Sequence, residues 1–221
     1  MVLADVFSFL PILLKAAVVT IEVTVGSLVL STLLGLVLAI MKVSPIKLLS
    51  VPASVFINVI RGLPIIVQLF YIYFVLPGMG IQLTAFQAGI IGLGIAYSAY
   101  QAENFRAGIQ AIDPGQIEAA KSIGMKGHLI MRRVILPQAI RITLPPYGNT
   151  TVMMLKDSSL VSTITVAEMT RAGQLLAAST FENMTVYTLV ALLYLALSLP
   201  LIFGVNRLEK HFGQGNGRRN K

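Results

Sequence analysis

From residue 62 to residue 102 the chain carries no Asp, Glu, Lys or Arg, a run of 41 residues. As helix that run would extend roughly 60 Å at about 1.5 Å per residue, twice the ~30 Å of a bilayer core. Only 12% of the 221 residues are charged, against roughly 25% in soluble domains. A soluble enzyme, a disordered chain and a nucleic-acid binder all fit such a chain poorly. The net charge of +8 is then expected in loops at one membrane face, since excess Lys and Arg mark the cytoplasmic side of membrane proteins. With no cysteine, disulfides, thiolate metal sites and a cysteine nucleophile are excluded. An acid, Asp5, stands where a signal peptide carries Lys or Arg, so the chain is expected to be uncleaved.

Five crossings account for the apolar segments. The first is expected at about 16–41, with Glu22 its only charge, followed by a short basic turn through Lys42, Pro45 and Lys47. The long uncharged run has to break, and Leu76-Pro77-Gly78-Met79-Gly80 is the visible breaker. That gives crossings at about 60–76 and 84–105. Residues 183–206 are again free of charge. Between them, 134–155 contains Pro137, Arg141, Pro145, Pro146 and Gly148, and is expected as a broken fourth crossing that faces protein or a water-filled cavity. The fold class is therefore all-α, a polytopic membrane protein with five transmembrane helices in one unit, residues 1–221. Thirteen Lys and Arg fall on the side holding residues 42–47, 106–141 and the C-terminus, and only Lys15, Lys156 and Arg171 on the other. The N-terminus is expected outside and the C-terminus inside. The tail 213–221 reads as a disordered basic end lying against anionic headgroups.

The loop 111–137 is the most informative segment. Asp113 suits an N-cap, Pro114 the first helical position, and Gln116 stands three residues after the cap as in a capping box. Gly124 and Gly127 can close the helix. A helix over 114–123 is too short to persist alone in water and has to dock on something. Ile117, Ala120 and Gly124 fall on one face, with Glu118 and Lys121 beside it.

The pattern Glu118-Ala119-Ala120, three residues, Gly124, nine residues, Val134, one residue, Leu136-Pro137 resembles the EAA loop of bacterial ABC import permeases. Val134 stands where that pattern usually has Ile. Flanking segments resemble the polar amino-acid permeases of the histidine, glutamine and arginine type. They are Arg61-Gly62-Leu63-Pro64 with Val67-Gln68-Leu69, Glu103-Asn104-Phe105-Arg106-Ala107-Gly108-Ile109, and Leu136-Pro137-Gln138-Ala139 through Leu144-Pro145-Pro146. Lys156-Asp157-Ser158-Ser159-Leu160 and Glu168-Met169-Thr170-Arg171-Ala172-Gly173-Gln174 complete the set. Leu63 replaces a frequent Thr, and Ser159 follows Ser158 where Thr-Ser is common. The resemblance spans about residues 16–208.

That resemblance implies a type I ABC importer in the bacterial cytoplasmic (inner) membrane. Two permease chains, identical or paralogous, form the path, two separate ATPase chains bind below, and an extracytoplasmic binding protein delivers substrate. This chain has no G-x-x-x-x-G-K-[ST] loop, so ATP and Mg²⁺ are expected on the ATPase, with no cofactor, metal or catalytic residue here. The short helix would be the coupling helix, with Glu118 bonding the ATPase cleft, Ala119 and Ala120 allowing close approach, and Gly124 permitting the exit turn.

Ionisable groups within a crossing are costly, ~2.5–3.5 kcal/mol on insertion scales, and are candidate functional sites. An amino acid brings a carboxylate, for which Ser158, Ser159 and Arg171 are candidates, and an ammonium, for which Asp157, Glu103 and Glu168 are candidates. Glu103 with Arg106 and Glu168 with Arg171 are also spaced three residues apart, where ion pairs would simply stabilise folded segments. Arg61 reads as the marker of a span end. Glu22 suits a cationic side chain such as arginine or lysine, or an interfacial pair with Lys15. The surplus of acids leans toward a basic amino acid, with a glutamine or glutamate importer as the alternative. His128 and His211 have no H-E-x-x-H or other partner motif, which disfavours an intramembrane enzyme. The absence of an inverted repeat disfavours a stand-alone secondary transporter or channel.

Overall fold

A computed structural model describes residues 2–213, and these form helices joined by short turns, with no strand among them. The helices are α1 (Val2–Val43), α2 (Lys47–Gly62), α3 (Ile65–Phe70), α4 (Ala85–Gln110), α5 (Pro114–Ser122), α6 (Gly127–Ile130), α7 (Leu136–Asp157), α8 (Met169–Thr180) and α9 (Asn183–Gly213). A π turn, Tyr71–Val75, and a 3₁₀ turn, Leu76–Met79, continue α3. A second π turn, Met131–Ile135, joins α6 to α7, and a 3₁₀ turn, Ser158–Ile164, follows α7. Apart from Gly213, the basic tail lies outside the described residues.

Helices α1 and α4 are parallel and closely packed because glycines remove the side chains between them. Gly26 lies against Ile90, Gly94 against Leu30, and Gly35 against Gln101 and the Ser98 carbonyl. The residue numbers rise together along both helices, so both run the same way through the bundle. Thr84 caps α4 in a reciprocal capping box with Gln87, which sets the helix start just beyond the Pro77-Gly78 breaker. Helix α7 runs antiparallel to α4, with Gly108 against Thr143 at one end and Tyr97 bonded to Asp157 at the other. Val23, Leu69, Leu93, Tyr97, Met154 and Val161 meet in the principal core.

Outside this core the surface is apolar. Leu33 is 61% exposed and Phe203 65%, as befits a chain solvated by lipid. Two described helices are long and apolar enough to cross a membrane alone, Val6–Val43 and Asn183–Phe212. The pair Lys47–Gly62 and Ile65–Met79 adds a third if it is taken as one bent crossing. Helix α4 is longer than a bilayer core requires, but its polar residues Gln101, Glu103, Asn104 and Arg106 lower its hydropathy. Protein covers much of it: Gln101 is fully buried and Asn104 bonds across to α7.

Two expectations change. The crossing expected at 60–76 is a broken element: its first residues end α2, Leu63 is extended (φ −100°, ψ 137°), and the chain turns through 103°. Pro64 is the cause, since a proline disfavours helical geometry in the residue before it. Conversely, 134–155 was expected to break at its prolines, yet α7 runs through both Pro145 and Pro146. The Thr150 hydroxyl and the Asn104 amide both donate to the Pro146 carbonyl, and the second of these ties the proline segment to α4. Helix α1 contains the whole crossing expected at 16–41 and extends back to Val2.

Candidate functional site

At one end of the bundle the loop between α4 and α7 holds α5. The Asp113 carboxylate accepts from the Gly115 N–H at 2.8 Å, with Pro114 at the first position. The capping box does not close through Gln116, whose side chain accepts from Gln138 Nε2 at 2.6 Å and so ties α5 to α7. The helix ends one residue early, at Ser122. Gly124 N–H then donates to Lys121 and Met125 N–H to Ala120, while Gly124 adopts φ +79°. This is the Schellman closure, in which a left-handed glycine is the unstrained choice.

Docking on Ile112, Ile130, Ile135 and Ala139 supplies the stability that nine residues lack. It also changes one expectation: Ala120 is buried in this cluster, so it packs its own loop and offers no approach surface. Glu118, Ala119 and Gly124 are exposed. Ile123 stands beside them with 78% of its surface free.

Within the bundle the candidate polar residues separate into three groups. Asp157, at the end of α7, accepts a 2.7 Å hydrogen bond from the hydroxyl of the buried Tyr97. The Tyr97 ring lies 5.8 Å from that of Tyr100, and the Arg61 guanidinium stands 5.6 Å over the Tyr100 ring. Among the described residues no carboxylate lies within ion-pair distance of Arg61. A cation and an anion on different helices are thus joined by two aromatic rings, and neither charge is neutralised by the other.

The second group comprises Glu168, Arg171, Ser158 and Ser159. Glu168 is fully buried and caps α8: one carboxylate oxygen accepts from the Arg171 N–H at 2.8 Å, the other from the Tyr194 hydroxyl at 2.6 Å. Its contact with Arg171 is through backbone; the guanidinium instead reaches Gln174 at 3.5 Å. Ser158 is buried and donates to the Leu155 carbonyl at 2.7 Å, while Ser159 is half-buried.

Glu103 forms the third group, paired with Lys42 at 2.5 Å and Arg106 at 2.8 Å. It clamps α4 to the end of α1. Glu22 stands apart from all three, exposed on α1 one turn before Gly26, with no cation in ion-pair distance among the described residues. Of the seven candidates, Asp157 alone joins the Arg61–Tyr100–Tyr97 line. Arg61 had read as a span-end marker, and the two tyrosines carry no charge to draw attention. Their one-turn spacing on α4 was the available signal.

The family model described as "Binding-protein-dependent transport system inner membrane component" matches residues 31–214. The probable glutamine ABC transporter permease protein GlnM of Bacillus subtilis is 40% identical over 191 residues, covering 86% of this chain and 88% of that protein. The arginine transport system permease protein ArgU of Corynebacterium glutamicum is 37% identical, covering 92% of this chain and 69% of its own length. A crystal structure of an amino acid ABC transporter with histidines superimposes with a TM-score of 0.89 at 39% identity, over 94% of this chain and 97% of the other. With the match reaching from α1 through α9, this chain belongs to the inner-membrane components of binding-protein-dependent transport systems.

Proposed function

We propose that the chain is the permease subunit of an ATP-driven amino-acid importer. It crosses the membrane five times with its N-terminus outside, pairs with a second permease, receives substrate from an extracytoplasmic binding protein, and moves in response to an ATPase docked on α5. The observation that carries the reading is the line from Arg61 over Tyr100 and Tyr97 to Asp157. Every α-amino acid presents a carboxylate and an ammonium, and this line offers a guanidinium for the first and a carboxylate for the second. Tyr97, itself buried, holds the Asp157 oxygen in place from below, and the partly exposed Tyr100 ring stands between the two ends.

The substrate we favour is a basic amino acid. Glu22 is an exposed carboxylate with no cation in ion-pair distance among the described residues, and an arginine, lysine or histidine side chain would supply one. The histidine-containing relative and the arginine permease support that preference. The glutamine permease at 40% identity favours the second reading, a glutamine or glutamate importer.

Two measurements on the assembly purified with its ATPase test these assignments. Arg61→Ala is expected to weaken binding of L-arginine about tenfold while sparing L-argininamide, because a hydrogen bond to a charged group contributes about 1.5–3 kcal/mol. Asp157→Asn is expected to weaken both ligands. Equal losses for acid and amide on Arg61→Ala would contradict the carboxylate assignment. Glu22→Gln is expected to weaken arginine more than glutamine, and equal losses would remove Glu22 from side-chain recognition and favour the glutamine-type reading.

A further inference from the structure

The elbow after α2 contains a polar side chain that the proposed recognition line does not include. A helix end leaves its last carbonyls without intrahelical partners, and in a bilayer no water replaces them. At this end Leu63 is extended and Pro64 brings no N–H. Gln68 reaches back from α3, and its Nε2 donates to the Ile60 carbonyl at 2.9 Å and the Leu63 carbonyl at 3.0 Å. These two acceptors flank Arg61 in sequence. Gln68 is only 7% exposed, and its Oε1 has no hydrogen-bond partner among the described residues. The amide orientation follows from chemistry, because two carbonyls can only accept and the NH₂ group has to face them.

We infer that Gln68 is a positioning residue: by clamping the backbone on both sides of Arg61 it fixes the elbow between α2 and α3 and holds the Arg61 guanidinium over Tyr100. The functional half of this inference rests on the proposed role of Arg61; the mechanical half stands on the hydrogen bonds alone. One side chain closes both ends of the bend, so losing its donor frees α2 to swing relative to the segment beyond Pro64. Glutamate at this position would set a carboxylate against two carbonyl oxygens, leaving no donor for either.

The test uses the assembly with its ATPase. The chain has no native cysteine, so spin labels can be placed at Val55 and Phe74, both exposed on opposite sides of the elbow. Diluting labelled chains into unlabelled ones isolates the distance within one chain. A narrow distribution is expected for the parent chain and a broader one for Gln68→Leu. Gln68→Asn, one methylene too short to span both carbonyls, carries the same expectation should the leucine variant fail to insert. An unchanged distribution in a variant that inserts overturns the inference. The second readout is KM: Gln68→Leu is expected to raise KM about tenfold for the free amino acid and to spare its amide. Adding it to Arg61→Ala should cause no further loss. Equal increases for acid and amide overturn the positioning role. If Arg61→Ala itself treats acid and amide alike, the recognition reading fails, and the label distances still decide whether Gln68 holds the elbow.

Discussion

Glu118→Lys and Gly124→Asp are each expected to insert at normal levels and to lose at least nine-tenths of ATP-driven uptake. Glu118 is exposed on α5, and exposed substitutions of this kind usually change stability by no more than about 0.5 kcal/mol. A large functional loss there has to arise in a contact with another chain. Reversing a charge that meets an interface partner costs about 2–5 kcal/mol, more than a tenfold loss of affinity. Gly124 acts differently: nothing lies within 4 Å of where its Cβ would stand, but its φ of +79° is strained for any side chain. The penalty is roughly 1–2 kcal/mol, concentrated in the turn that sets how α5 leaves the loop. Membrane abundance, ATPase co-purification and uptake check both variants, and normal uptake by both would remove α5 from the coupling role.

Gly35→Leu is expected to be the most destabilising single substitution between α1 and α4. A Cβ at Gly35 would come to 2.8 Å from the Gln101 Cβ, 3.0 Å from the Ser98 carbonyl oxygen and 3.1 Å from the Ala102 nitrogen. These are atoms of the α4 backbone or bonded directly to it, so no side-chain rotation relieves the contact. The helices have to separate, at a cost of about 3 kcal/mol or more. Gly204→Leu is the control, because no neighbour lies within 4 Å of its Cβ position. The melting temperature of detergent-purified protein should fall by several degrees for Gly35→Leu and stay within a degree or two for Gly204→Leu; equal values would contradict the close packing of α1 on α4.

Much of the helical framework was legible because apolarity and its interruptions are written locally. The Pro77-Gly78 breaker, the start of α4 and the Asp113-Pro114 cap of α5 were all visible in short stretches of chain. The 103° elbow was not, although Pro64 was in view. Both sides of the bend are equally apolar, so hydropathy cannot distinguish one straight crossing from two helices at an angle. Helix α8 escaped notice because its sequence is short and mixed, and its cap depends on the buried Glu168. The polar groups were legible one residue at a time. Glu103 was flagged with its neighbour Arg106, but its second partner, Lys42, is 61 residues away. Asp157 was flagged too, while Tyr97, Tyr100 and Arg61 come together with it only when α2, α4 and α7 pack. Ala120 holds a motif position and also shares a face of α5 with Ile117, and packing turns that face inward onto the loop's own core.

The most direct test of the account is accumulation of labelled arginine in proteoliposomes containing this chain, its ATPase and its binding protein. Uptake against a gradient is expected only with hydrolysable ATP, and at no more than a tenth of the parent level when α5 carries Glu118→Lys. Equal uptake without ATP, or without the ATPase, would contradict it and identify the chain as a transporter or channel that works alone.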